Sequence, residues 1–135
     1  MMALIVSGPI VVDDVLKKLH PGNTGAIVTF IGTVREKTGD NTITSLEYEA
    51  YIEMAESTML NILASSIKKF GLIDAVAVHR IGRLGIGEAS IMIAVSAQHR
   101  KEGFDGCSEI LNRIKAEAPI WKKDIIDEKT AIWHN

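Results

Sequence analysis

Residues Ile52, Ala55, Met59, Ile62, Leu63, Ile67 and Phe70 recur at helical spacing, and Gly71 then supplies a natural stop. A helix with one apolar stripe must bury that stripe against another element. The partners lie to either side as apolar runs of strand length: 25–34, 73–80 and 89–97. A second helix is predicted from about Lys101 to Ala118, ended by Pro119, because the residue before a proline is pushed out of the helical region. Ile43 to Tyr51 alternates, with Leu46, Tyr48 and Ala50 on one face and Glu47 and Glu49 on the other. These elements sum to an α+β fold, a mainly antiparallel sheet packed on helices.

Smaller features fill the gaps. Ala3 to Val6 is a short strand, and Asp13 or Asp14 caps a short helix through Leu19 before the turn Pro21-Gly22-Asn23. The run Gly25 to Val34 is so continuously apolar that both its faces are expected to be covered. Arg35 to Asn41 is a polar, flexible connection. Residues 81–88 form a glycine-rich loop with a short extended piece, and Gly85-Ile86-Gly87 within it is turn chemistry, too short for a dinucleotide fingerprint. Apolar pairs around Asp127-Glu128-Lys129 predict a small C-terminal hairpin over 124–133.

Composition narrows the function classes. With 135 residues, 47% hydrophobic and 24% charged, and no linker or repeat, one domain spanning 1–135 is expected. No apolar run approaches the roughly 20 residues that cross a bilayer, and the N-terminal stretch lacks a basic region. No membrane association is expected, and a cytoplasmic location is. A net charge of −2 and a pI near 6.1 give no global attraction for a polyanion, so no nucleic acid is expected as partner and any anion site must be local. Four histidines show no ligand spacing, so no metal and no cofactor are expected. Cys107, the only cysteine, falls in the helical stripe Phe104, Cys107, Leu111, Ile114, Ala118, which makes it a small buried hydrophobe and rejects it as a sulfur carrier.

Chemistry concentrates near the C-terminus. Lys115 ends a helix, and Pro119-Ile120-Trp121 separates it from Lys122 and Lys123. A lysine amine is a poor base at neutral pH unless desolvated or placed near other cations, and Pro119 and Trp121 are candidates for a dry wall. His79-Arg80 and His99-Arg100 each end an apolar strand, where sites tend to be built. His79 is read as satisfying loop carbonyls. His99-Arg100 opens the helix that ends near Lys115, but fifteen residues of helix span roughly 22 Å. One small ligand touches both only if it is extended, if the helix is broken, or if a second subunit contributes; Gly103 and Gly106 make a late or irregular helix start plausible. Arg35 enters the flexible loop after an apolar strand. Arg35, Arg100, Lys115, Lys122 and Lys123 together offer cations suited to phosphate.

The ordered set Phe30-Ile31-Gly32-Thr33-Val34-Arg35, Leu46-Glu47-Tyr48-Glu49-Ala50-Tyr51 with Met54-Ala55-Glu56, His79-Arg80-Ile81-Gly82, Gly87-Glu88, His99-Arg100 and Lys115 through Lys123 closely resembles the large, catalytic subunit of molybdopterin synthase. The resemblance covers about Gly25 to Trp133 and implies an α/β hammerhead-like fold. It implies a sulfurtransferase of molybdenum cofactor biosynthesis that converts cyclic pyranopterin monophosphate, a pterin phosphate, to molybdopterin. Two sulfurs would arrive from the C-terminal Gly-Gly thiocarboxylate of a small ubiquitin-like subunit. It further implies a homodimer of large subunits within a heterotetramer. Carried over by position, the catalytic residues are Lys115, as main general acid/base, and Lys122. The substrate-binding set is Thr33, Val34, Arg35, His99, Arg100, Lys115, Lys122, Lys123 and Asp124. Gly103 stands where the family often has alanine, Asn112 where it often has aspartate, and Asp124 where it often has glutamate.

Overall fold

The computed structural model describes residues 1–38, 41–42, 44–126 and 131–134. In chain order the elements are β1 (Met2–Val6), α1 (Val12–Lys17), β2 (Ala26–Thr33), β3 (Lys37–Thr38), β4 (Asn41–Thr42), β5 (Ser45–Ala50), α2 (Ile52–Phe70), β6 (Asp74–Arg80), β7 (Gly82–Gly85), β8 (Ala89–Ala97), α3 (Arg100–Glu117), β9 (Ile120–Ile125) and β10 (Ala131–His134). The first sheet has the order β1-β6-β8-β2 and the second β10-β9-β5-β7, while β3 and β4 pair with each other. Among the described residues only β1 and β6 run parallel; the other ladders are antiparallel. Among the described residues no helix is long and apolar enough to cross a membrane.

Helix α2 stops where Gly71 takes a left-handed φ of 66° and its N–H reaches the Ile67 carbonyl, a conformation glycine adopts without a Cβ penalty. Its stripe, including Met59, Ile62 and Leu63, packs with Cys107, Ile110 and Ile114 of α3 on Ala75, Ala77, Ile91, Ile93 and Val95 of the first sheet. On the opposite face Val15 and Leu19 cover Val76, Val78, Met92 and Ala94. The central strands β6 and β8 are therefore the ones covered on both sides.

Strand β2 departs from expectation. It lies at the sheet edge, beyond the reach of the α1 layer, and alternates half-buried with exposed; Ile27 and Ile31 face outward, 56% and 38% exposed. Helix α1 also differs: Asp13 and Asp14 lie in its first turn, and Val11 occupies the cap position with no side-chain cap bond.

The buried stripe of α3 runs Gly103, Gly106, Cys107, Ile110, Ile114, rotated from the predicted one, and Phe104 is 61% exposed. The two glycines cause the rotation. A Cβ on Gly103 would meet Val28 Cγ2 at 2.9 Å, and one on Gly106 would meet Leu72 Cδ1 at 2.8 Å. They are contact points that let the helix lie close to its neighbours, and α3 starts regularly at Arg100. Ala118 is extended (φ −74°, ψ 136°), as a residue before proline should be. The chain then enters β9 at once, so Ile120 and Trp121 are strand residues and the turn is confined to Ala118-Pro119. Strands β9 and β10 pair antiparallel, as a C-terminal hairpin requires; residues 127–130 of that predicted hairpin, like Gly39, Asp40 and Ile43 of the earlier segments, lie outside the described residues.

Candidate active site

A cavity of about 580 Å³ opens where the two sheets meet the C-terminal end of α3. Each wall comes from a different element. The end of β2 supplies Phe30 to Thr33, and Arg35 follows; β5 supplies Leu46 and Tyr48; β6 supplies His79; β8 supplies Ser90 and Ile91; α3 supplies Ile114 and Lys115; β9 supplies Ile120, Trp121 and Lys122. Cations on an apolar lining are what an anionic heterocycle requires.

Register explains why Lys122 points inward. It pairs directly with Tyr48 across the β5–β9 ladder, and opposite residues share a face. Lys123, one residue on, pairs with Glu47 on the other face. There its amine lies 3.1 Å from Glu47 Oε2 and 4.6 Å from the centre of the Trp133 ring. Asp124 returns to the Lys122 face opposite Leu46 and is buried, 2% exposed, without lining the cavity. Lys115 reaches the cavity from the last turn of α3. Its side chain is exposed, so the dry wall expected from Pro119 and Trp121 does not bury it in the isolated chain.

Of the sequence-assigned residues, Thr33, Arg35, Lys115 and Lys122 thus converge. Val34 does not; it is buried with Leu46 and Leu84 beneath the site. His99 and Arg100 open α3 at its far end, where the His99 N–H donates to Glu102 Oε1 at 2.6 Å and the His99 side chain is 79% exposed. The helix between them and Lys115 is unbroken.

Tyr48, His79 and Ser90 form a polar wall that sequence reasoning did not assign to the site. Between Gly32 and Thr33 the β2–β8 register slips: Gly32 pairs with Ile91 but Thr33 with Ala89. Ser90 is the extra residue of this bulge, a device that re-aims a side chain. Its hydroxyl donates to the Gly32 carbonyl at 3.3 Å and bonds the Tyr48 phenol. Burial pushes the Tyr48 phenol above its ordinary value; the Ser90 bond opposes this and the Asp124 charge adds to it. Tyr48 also joins the two sheets, meeting His79 edge-on at 4.8 Å. His79 is 6% exposed, and its Nδ1–H donates to the Arg80 carbonyl at 2.9 Å, the carbonyl-satisfying role read from sequence. Burial drives its pKa down to about 4, so the ring is neutral. The signal that could have found this wall was parity: Leu46 and Tyr48 share a strand face, and that face is the cavity's.

Two other sequence motifs are structural. Glu88 accepts from the Gly85 N–H at 2.7 Å and from Arg80 Nη1 at 2.8 Å, holding the turn in which Gly87 has φ 84°. Cys107 is buried, its thiol pushed up to about 11 by desolvation. Among the described residues no three His, Cys, Asp or Glu side chains converge on a metal position.

Comparison with known proteins agrees with this architecture. The MoaE protein family matches residues 5–117. A molybdopterin synthase catalytic subunit from Thermoplasma volcanium is 41% identical over 121 residues, covering 90% of this chain and 88% of the relative. The crystal structure of molybdopterin synthase from Staphylococcus aureus superposes with a TM-score of 0.92 at 38% identity, covering 98% of this chain and 96% of that one. A complex of subunits 1 and 2 of molybdopterin-converting factor from Helicobacter pylori contains a chain that matches with a TM-score of 0.78 at 25% identity, covering 98% and 90%. The chain therefore belongs to the MoaE protein family, the family of molybdopterin synthase catalytic subunits.

Proposed function

We propose that this cavity binds cyclic pyranopterin monophosphate and that the chain, as the catalytic subunit of molybdopterin synthase, directs two sulfurs onto it from the thiocarboxylated C-terminus of a small ubiquitin-like subunit. The observation that carries the proposal is the meeting of Lys115, Lys122 and Arg35 over an apolar lining in one cavity. Arg35 and Lys122 hold the phosphate and stabilise charge on the oxygen that leaves as the cyclic ester opens. Lys115 moves protons beside the incoming thiocarboxylate. The chain needs sulfur from a partner because its own Cys107 is buried and held as a thiol. The relative from Helicobacter pylori, solved as a complex of two converting-factor subunits, supports such a partner.

His99 and Arg100 enter the same scheme from a second copy. They sit about 22 Å of helix from Lys115, so one chain does not bring both to a compact ligand. Among the described residues strand β2 leaves one edge unpaired, and it presents Ile27 and Ile31 outward. A second copy laid antiparallel along that edge sets its Ala26 end beside this chain's Thr33. Because Ala26 pairs with Ala97, the second copy's His99-Arg100 is carried toward this chain's Arg35. The working assembly is then a homodimer of large subunits with a small subunit at each end, each large subunit a single domain acting in the cytoplasm.

The test is to mix the protein anaerobically with the thiocarboxylated small partner and the cyclic pterin phosphate, and to assay for the dithiolene product. Product is expected; its absence with an active partner preparation overturns the proposal.

A further inference from the structure

Three lining cations and several apolar side chains account for a phosphate and a flat ring, but not for the N–H groups on the edge of a pterin. Those donors need acceptors, and arginine and lysine have none. Among the lining side chains, His79 is the one whose remaining hydrogen-bonding capacity is a lone pair alone. Its Nδ1 lies 2.9 Å from the Arg80 carbonyl, which can only accept, so the proton is on Nδ1 and Nε2 is bare.

The surroundings hold the ring in that state. His79 is 6% exposed, and burial disfavours a second proton. The Tyr48 ring packs against it edge-on, interplanar angle 70°, and the Tyr48 hydroxyl is engaged with Ser90 rather than with the imidazole. Ser90 in turn is anchored to the Gly32 carbonyl by the bulge. Among the described residues no group hydrogen-bonds Nε2, yet the residue lines the cavity. A fixed acceptor of this kind penalises any ligand that cannot donate to it.

Resting on the functional reading above, we propose that His79 is a specificity-determining residue whose Nε2 accepts a hydrogen bond from an N–H of the pterin ring system. The Tyr48–Ser90 wall fixes the imidazole for that contact. Lys122, directly across the ladder from Tyr48, lines the same cavity and leaves the phosphate to the cations while His79 meets the ring.

The test uses the full chain with ¹⁵N-labelled histidine, titrated anaerobically with cyclic pyranopterin monophosphate and separately with inorganic phosphate. The Nε2 resonance of His79 is expected to move to lower frequency with the pterin and to stay unchanged with phosphate. His79→Phe keeps a ring against Tyr48, and in the reconstituted synthase it is expected to raise KM for the pterin about tenfold, the scale of one lost hydrogen bond, while inhibition by inorganic phosphate is unchanged. An Nε2 resonance unmoved at saturating pterin overturns the proposal, as does a folded His79→Phe protein with wild-type KM. If that variant does not fold, the resonance of the unsubstituted chain decides. Product formation by the wild-type enzyme beside an unmoved resonance removes His79 and leaves the functional reading standing; a wild-type protein that neither binds the pterin nor forms product removes both.

Discussion

Tyr48 stands directly opposite Lys122 in the β5–β9 ladder, so the phenol and the amine rise from one face of the second sheet into the cavity. The neighbouring pair, Glu47 and Lys123, faces the other way. Lys122→Ala is therefore expected to lower turnover by about 10²-fold or more, the usual cost of removing a positioned charge at a reacting centre. Lys123→Ala removes a partly exposed ion pair and a ring contact, and is expected to change turnover less than about tenfold and stability by under about 1 kcal/mol. Steady-state kinetics and urea titration on both variants check this, and equal losses of turnover would refute the assignment of faces.

Lys115→Ala is expected to leave the complex with the small subunit intact and to reduce product formation by about 10²–10⁴-fold, the range for a lost general acid/base. Gel filtration of the mixed subunits with a single-turnover assay separates the two effects. Undiminished turnover takes Lys115 out of its role, and an intact but wholly non-catalytic wild-type complex would make the protein a docking scaffold.

His79 makes stability depend on pH. Its folded pKa of about 4 lies below the unfolded value near 6.5, so between those values the unfolded chain binds more protons. The stabilisation is full above about pH 6.5 and is lost as pH falls toward 4, in total about 3 kcal/mol. Urea midpoints measured from pH 7.5 to 4.5 should fall more steeply for the wild type than for His79→Phe; parallel curves would show that the imidazole is not held neutral.

Gly103→Ala sets two effects against each other. Alanine gains about 1 kcal/mol in helix propensity, but its Cβ would lie 2.9 Å from a methyl of Val28, a stiff β-branched side chain. Overpacking of this kind costs about 1–3 kcal/mol, so a lowered Tm is expected. A raised Tm would mean that β2 yields easily.

Cys107→Ala is expected to retain turnover, because the thiol is buried and held protonated. In the native protein it should resist a thiol reagent at neutral pH and react at once in denaturant. Rapid native modification would reopen a role for this sulfur.

Periodic features carried most of the fold. Helix α2 and strand β8 lie where their patterns place them, since long stripes and apolar runs report burial directly. The errors arose where burial depends on something other than hydrophobicity. Gly103 and Gly106 are buried because they are small, and a count of apolar residues misses them while counting Phe104, which is exposed. Strand β2 reads as central because Ile27 and Ile31 are apolar, yet its place at the sheet edge is settled by topology that no local window contains. At the site, charged residues were conspicuous and the neutral wall was not: Tyr48, His79 and Ser90 come from three strands and two sheets, and the bulge that aims Ser90 has no local sequence mark.

The alternation of Lys122 and Lys123 has an evolutionary consequence. A one-residue deletion just ahead of Lys122 would bring Lys123 opposite Tyr48 and still present an amine to the cavity, so the lysine pair does not itself penalise that frame error. The penalty falls downstream: Asp124 would leave its buried place opposite Leu46 and Ile125 would take it. Selection on the amine is thus enforced by a neighbour that does no chemistry, the buried carboxylate of Asp124, whose side chain does not line the cavity.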